Sequence, residues 1–243
     1  MNLVIDKGNT LSKVAIFDQG KIVKRYDFTV LNLVDTKKIL TLFPSIKHVL
    51  ISSVTDFPQR VESYLLRRCF LLNLNQKTKL PFINRYKSPT TIGTDRLAAV
   101  AGAVEEFKKK NILILDAGTC IKFNFIKAKN EFIGGSISPG LEMRFRSLHN
   151  FTGKLPLINK RNSFGKLIGT TTEESILSGV LIGTLYEVNG IIAEYKKKYS
   201  DLAIVVTGGD TSFFENNLKM SIFARPHLIL QGLNYILDHN VIN

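Results

Sequence analysis

The chain has 243 residues, 44% of them apolar and 22% charged, an ordinary globular composition that excludes disordered and fibrous classes. Two cysteines, Cys69 and Cys120, exclude a disulfide framework, show no metal-ligand spacing, and set the expectation of a reduced, cytoplasmic protein. The formal charge of +13 sits mainly in residues 1–111, where 19 Lys/Arg stand against 9 Asp/Glu; such a field suits acidic ligands, or is simply a solvated lysine-rich surface.

Asp6 and Lys7 interrupt the first apolar run, which argues against a signal peptide. Between them the segments read as strand Leu3–Asp6, tight turn Lys7–Thr10, strand Lys13–Phe17, turn Gln19-Gly20 and strand Lys21–Phe28. Helical periodicity follows near Asp35–Phe43, then strand His48–Ser52, helix Val61–Cys69 and strand Phe70–Leu74. Residues 77–95 are basic and proline-punctuated, and are expected to be irregular. Leu97, Val100, Ala101, Val104 and Phe107 predict a helix over Arg96–Lys110, with Thr94 as its N-cap and three closing lysines facing the dipole.

The stretch ILILDAGTCIKFNFIKAKNEFIGG then repeats the opening: a strand ending in Asp, an x-Gly turn, a strand, a turn and a strand. Asp6-Lys7-Gly8 aligns with Asp116-Ala117-Gly118, about 110 residues on, and Thr10 lies one position off Thr119. The repeat predicts two duplicated domains, 1–111 and 112–243, with a C-terminal helix that packs back on the first. The second half continues with a helix near Leu141–His149, a long helix from Thr172 to about Tyr199, a strand AIVV leading into Gly-Gly, and a helix near Gln231–His239. Glu187 and Glu194 interrupt the long apolar helix, against a membrane span.

A strand-end Asp followed by a glycine turn can hold magnesium through water while backbone N–H groups meet phosphate. Asn9 and Thr10 add donors and Lys13 a cation; the other reading is an Asx-closed hairpin turn. Thr207–Asp210, TGGD, is either a close-approach site for a nucleoside or a strand-to-helix turn. In Gly93–Arg96, GTDR, Asp95 is either a first-turn anion or a general base, and Arg96 a fork for a carboxylate.

The order DKGNTLSK, Tyr86, GTDR, DAGTCIK, FIGGSISPGLEMRFRSL, FTGKLP, GTTTEESILSG and VVTGG resembles the type III pantothenate kinases across nearly the whole chain. The resemblance implies an α/β fold of duplicated ribonuclease H-like (actin-like ATPase) domains, each a mixed β-sheet flanked by helices. It implies ATP-dependent phosphorylation of pantothenate to 4'-phosphopantothenate, the first step of coenzyme A biosynthesis. The cofactor loop falls on Asp6, Lys7, Gly8, Asn9, Thr10, Leu11, Ser12 and Lys13, with Asp6 near Mg2+; the second loop falls on Gly118 and Thr119. Asp116 is implied to bind a monovalent cation, K+ or NH4+. The substrate side is implied to be Tyr86, Gly93, Thr94, Asp95, Arg96 and Thr172, with Asp95 the catalytic base and Thr172 acting across a homodimer. The chain departs from the family's common pattern at Cys120, Lys122 and Asn124. Strand alternation aims Lys122 away from the site; the other reading is that it replaces part of the cation's role. The alternative function is a catalytically silent nucleotide-binding regulator that binds DNA or an acidic partner, which the retained Asp6, Asp95, Arg96 and Asp116 argue against.

Overall fold

A computed structural model describes residues 1–8, 10–158 and 166–241. They form two compact units: residues 1–108, 130–132 and 227–243, and residues 109–129 and 133–226.

The first unit is built on strands β1 (Asn2–Lys7), β2 (Ser12–Asp18), β3 (Lys21–Phe28), β4 (His48–Ser53) and β5 (Phe70–Asn73). They lie in the order β3-β2-β1-β4-β5, antiparallel among the first three and parallel from β1 to β5. Central β1 is covered on both faces and so reads as a continuous apolar run, whereas edge strand β3 alternates. One face buries Leu3, Ile5, Val14 and Ile16 under Ile39 of helix α1 (Leu33–Leu42) and Val61 and Leu65 of α2 (Gln59–Leu66). The opposite face of β1 carries Asn2, whose amide donates to Asn234 and Asp238 of the C-terminal helix. A two-residue strand, β6 (Ile83–Asn84), pairs with Glu131 and Phe132.

Helix α3 (Thr94–Glu106) packs along that C-terminal helix at a glycine contact: a Cβ on Gly232 would stand 1.8 Å from the Ala98 carbonyl oxygen. The helix begins earlier than its apolar spacing suggests, with Gly93 at the N-cap and Thr94 buried inside the first turn. It also ends at Glu106, so Lys108–Lys110 lie beyond its last turn rather than in it.

The second unit repeats the arrangement. Strands β7 (Asn111–Ala117), β8 (Cys120–Lys127), β9 (Glu131–Pro139), β10 (Leu202–Thr207) and β11 (Phe223–Ala224) are ordered β9-β8-β7-β10-β11. β7 is antiparallel to β8 and parallel to β10, as β1 is to β2 and β4. Helix α4 is Leu141–Asn150. The long helix is three segments: α5 (Thr172–Leu177), a π-type turn Ser178–Ile182 and α6 (Gly183–Lys198). Its residues 172–198 are long and apolar enough to cross a membrane, yet Leu185, Val188 and Ile192 are buried against Leu113, Phe123 and Phe125 of the sheet. A short helix, α7 (Thr211–Asn217), and the final helix α8 (Leu228–Val241) complete the chain.

Candidate active site

In the first unit the site is built at the end of β1. Asp6, 9% exposed, stands in register with Ser52 on β4 and with Lys13 on β2. Ser52 is fully buried, with Oγ 3.4 Å from Asp6 Oδ1 and 3.0 Å from Thr94 Oγ1. A hydroxyl pair therefore ties the end of β1 to the start of α3. Nothing in HVLISS alone predicts this role; the parallel register creates it.

The loop's Gly8 N–H is used inside its own turn, donating to the Leu11 carbonyl at 3.0 Å, so Gly8 shapes the loop. Thr10 and Leu11 are exposed, Ser12 buried and Lys13 half-buried; Asn9 lies outside the described residues. The Lys7 ammonium donates to the Asp56 carbonyl.

Asp95, half-buried in the first turn of α3, accepts the Arg96 backbone N–H at Oδ1, 2.8 Å away. A Cβ on Gly93 would stand 2.4 Å from that same oxygen. Gly93 has an ordinary φ of −63°, so its contribution is room for the Asp95 carboxylate.

Arg96 is buried, its guanidinium 5.2 Å from the Tyr86 ring centre and 5.6 Å from that of Phe132. One guanidinium nitrogen lies 3.5 Å from the Tyr86 hydroxyl. Tyr86 stacks on Phe132 at 5.9 Å and 12°. A guanidinium held over two rings is a pre-oriented fork for a carboxylate. The structure thus brings Tyr86 and Arg96 together and adds Phe132, which the sequence reading missed.

In the second unit three glycine turns meet at the end of β7. Gly118 N–H donates to the Cys120 carbonyl at 3.1 Å, closing a tight turn, and Gly140 N–H donates to the Thr119 carbonyl at 3.1 Å. Asp210 N–H reaches the Ala117 carbonyl at 2.9 Å. TGGD is therefore a strand-to-helix turn packed on the β7 backbone; Gly208, at φ +98°, takes a conformation closed to ordinary residues. Ser138 donates to Glu187 Oε1 at 2.7 Å, and Arg144 pairs with Glu187 Oε2, bracing the Ser138–Gly140 turn from α6. These partners lie over forty residues apart in the chain, and no local pattern announces them. Thr172 is exposed in the first turn of α5, where Thr171 accepts from the Glu174 N–H at 3.2 Å.

Lys122 corrects the reading from strand alternation. It sits directly opposite Asp116 in the β7–β8 ladder, and opposed residues share a face. Its Nζ is 2.7 Å from Asp116 Oδ2, with the two side chains 18% and 5% exposed.

Among the described residues no three His, Cys, Asp or Glu side chains gather into a metal site. A lone strand-end carboxylate suits magnesium, which keeps its waters and arrives on phosphates, and Asp6 fits that description. The monovalent cation implied at Asp116 does not fit, because a largely buried ammonium already stands against that carboxylate.

Solved structures similar to this chain include a Campylobacter jejuni protein described as a Baf family transcriptional activator (TM-score 0.62, 20% identity, 99% of this chain and 100% of that one). Others are a 2-dehydro-3-deoxygalactonokinase from Sinorhizobium meliloti (0.59, 14%, 99% and 99%) and a glucokinase from an Antarctic psychrotroph (0.54, 12%, 98% and 98%). With the two sheet orders above, these likenesses show the fold: duplicated ribonuclease H-like domains, each a mixed β-sheet flanked by helices. The family model described as Type III pantothenate kinase matches residues 2–194. The chain is 44% identical over 241 residues to the type III pantothenate kinase of Christiangramia forsetii, covering 99% of each. It is 41% identical over 242 residues to that of Bacteroides fragilis, covering 99% of this chain and 98% of the relative. The chain belongs to the type III pantothenate kinase family.

Proposed function

We propose that this chain transfers the γ-phosphoryl group of ATP to the primary hydroxyl of pantothenate, giving 4'-phosphopantothenate for coenzyme A biosynthesis. The observation that carries this reading is the full-length relationship to type III pantothenate kinases at up to 44% identity.

Asp95 accepts the hydroxyl proton as the pantothenate oxygen attacks the γ-phosphorus in line and ADP leaves. The room left by Gly93 supports this role, because the carboxylate can sit folded against the helix start and still swing to a ligand. Arg96, held by Tyr86 and Phe132, takes the pantothenate carboxylate. The phosphate-binding turns are Asp6–Lys13 and Asp116–Thr119. Magnesium carried on the ATP phosphates supplies charge neutralisation when bound, with Asp6 its holder through water. Positioning and electrostatics carry most of the catalysis, so a mild base suffices. Thr172 is assigned a pantothenate contact, made in a homodimer; light scattering checks the dimer.

The test is a coupled assay with ATP, Mg2+ and pantothenate, followed by detection of 4'-phosphopantothenate. Product formation is expected. No product with potassium or ammonium present, together with tight and steeply salt-dependent DNA binding, would replace the enzyme by a regulator.

A further inference from the structure

The ion pair between Asp116 and Lys122 occupies the place at which the family resemblance implies a diffusible cation. We propose that the Lys122 ammonium is a built-in substitute for that cation, so that nucleotide binding and phosphoryl transfer in this chain need neither potassium nor ammonium ion. The phosphoryl-transfer half of this statement rests on the kinase reading above; the nucleotide-binding half does not.

Three observations carry it. The ladder register puts Lys122 on the same face as Asp116, so the backbone brings the ammonium within reach of the carboxylate. The separation of 2.7 Å is that of a close ion pair, between side chains only 18% and 5% exposed. The pair also lies at the strand end where the Gly118, Gly140 and Gly208 turns converge, which is where a phosphate would meet it.

The chemistry is equivalent. An alkylammonium carries the same single charge as an ammonium ion, and it presents N–H donors to oxygen ligands as that ion does. A second monovalent cation at Asp116 would face like charge across a few ångströms of poorly solvated space. A tethered cation has a fixed local concentration, so no salt in the medium is needed to fill the site.

The experiment measures affinity for Mg2+ with a non-hydrolysable ATP analogue by calorimetry, and kcat/KM with pantothenate, in choline, potassium and ammonium chlorides at equal ionic strength. The wild type is expected to change by less than about threefold among the three salts. Lys122→Ala, which removes the charge and leaves room, is expected to lose about tenfold or more in choline and to recover in potassium or ammonium. Lys122→Met, which fills the room without charge, is expected to stay low in every salt. Potassium raising wild-type nucleotide affinity or kcat/KM by about threefold or more would overturn the proposal, as would full Lys122→Ala function in choline. If the variants do not fold, the wild-type salt response still decides. If pantothenate is not phosphorylated in any salt, the kinase reading fails while the nucleotide affinities still test the lysine.

Discussion

The β1–β2 and β7–β8 hairpins are two versions of one device. Each places a buried aspartate at the end of the unit's central strand, opposite a lysine on the antiparallel neighbour: Asp6 with Lys13, Asp116 with Lys122. Each sets a buried hydroxyl beside the aspartate on the parallel neighbour, Ser52 in one and Thr207 in the other. The use made of these parts differs. In the first unit Ser52 carries the link onward from the acid to Thr94 and so to the helix that bears Asp95. In the second, the lysine closes on the acid as an ion pair. The two scaffolds match, but one acid is linked through hydroxyls to the start of α3 and the other to a fixed positive charge.

That division is broken first at Asp95. Asp95→Asn should lower kcat by about 10²–10⁴ while nucleotide affinity by calorimetry stays within about threefold of wild type. Near-normal turnover would remove the chemistry from the first unit's helix. The next effect is on stability. Lys122→Met takes the ammonium away from the buried Asp116 carboxylate, and should cost about 3–5 kcal/mol in urea unfolding in choline buffer at pH 7. Lys13→Met, at a half-buried position, should cost about 1 kcal/mol or less in the same measurement. Equal losses would erase the contrast between the hairpins. A modest effect is expected at Ser52: Ser52→Ala should cost about 1–2 kcal/mol of stability and lower kcat more than it raises KM for ATP, because the loop and α3 lose their shared hydroxyl. An unchanged kcat would make that link purely structural.

Much of this was legible in the chain itself. The doubled Asp-x-Gly turn, the strands beside it and the GTDR helix all follow from apolar runs and turn residues. Several of the failures share a cause, which is that spacing along a strand does not fix pairing across it. The first loop holds four residues between the paired Lys7 and Ser12, the second three between Ala117 and Ile121. That missing residue explains why Thr119 lies one position off Thr10, and why Lys122, six residues after Asp116, still comes to face it. Ser52 was invisible for the same reason, because its parallel partner is set by a helix connection and not by a turn. Phe132, Arg144 and Glu187 act through contacts tens of residues away. The short α7 and two-residue β11 fall below the length at which periodicity is readable. The Ser178–Ile182 turn, with Gly179 inside it and Gly183 just after it, keeps a helical pattern while widening one turn.

The α3–α8 contact has a consequence for biosynthesis. Helix α8 covers one face of the first sheet, yet it emerges from the ribosome only after the entire second unit has been made. The N-terminal half of the nascent polypeptide must wait with that apolar face bare, in need of chaperone cover, while the later-made unit can already settle. The first unit is closed by the last helix of the chain, so it can be completed only after the second has been synthesised.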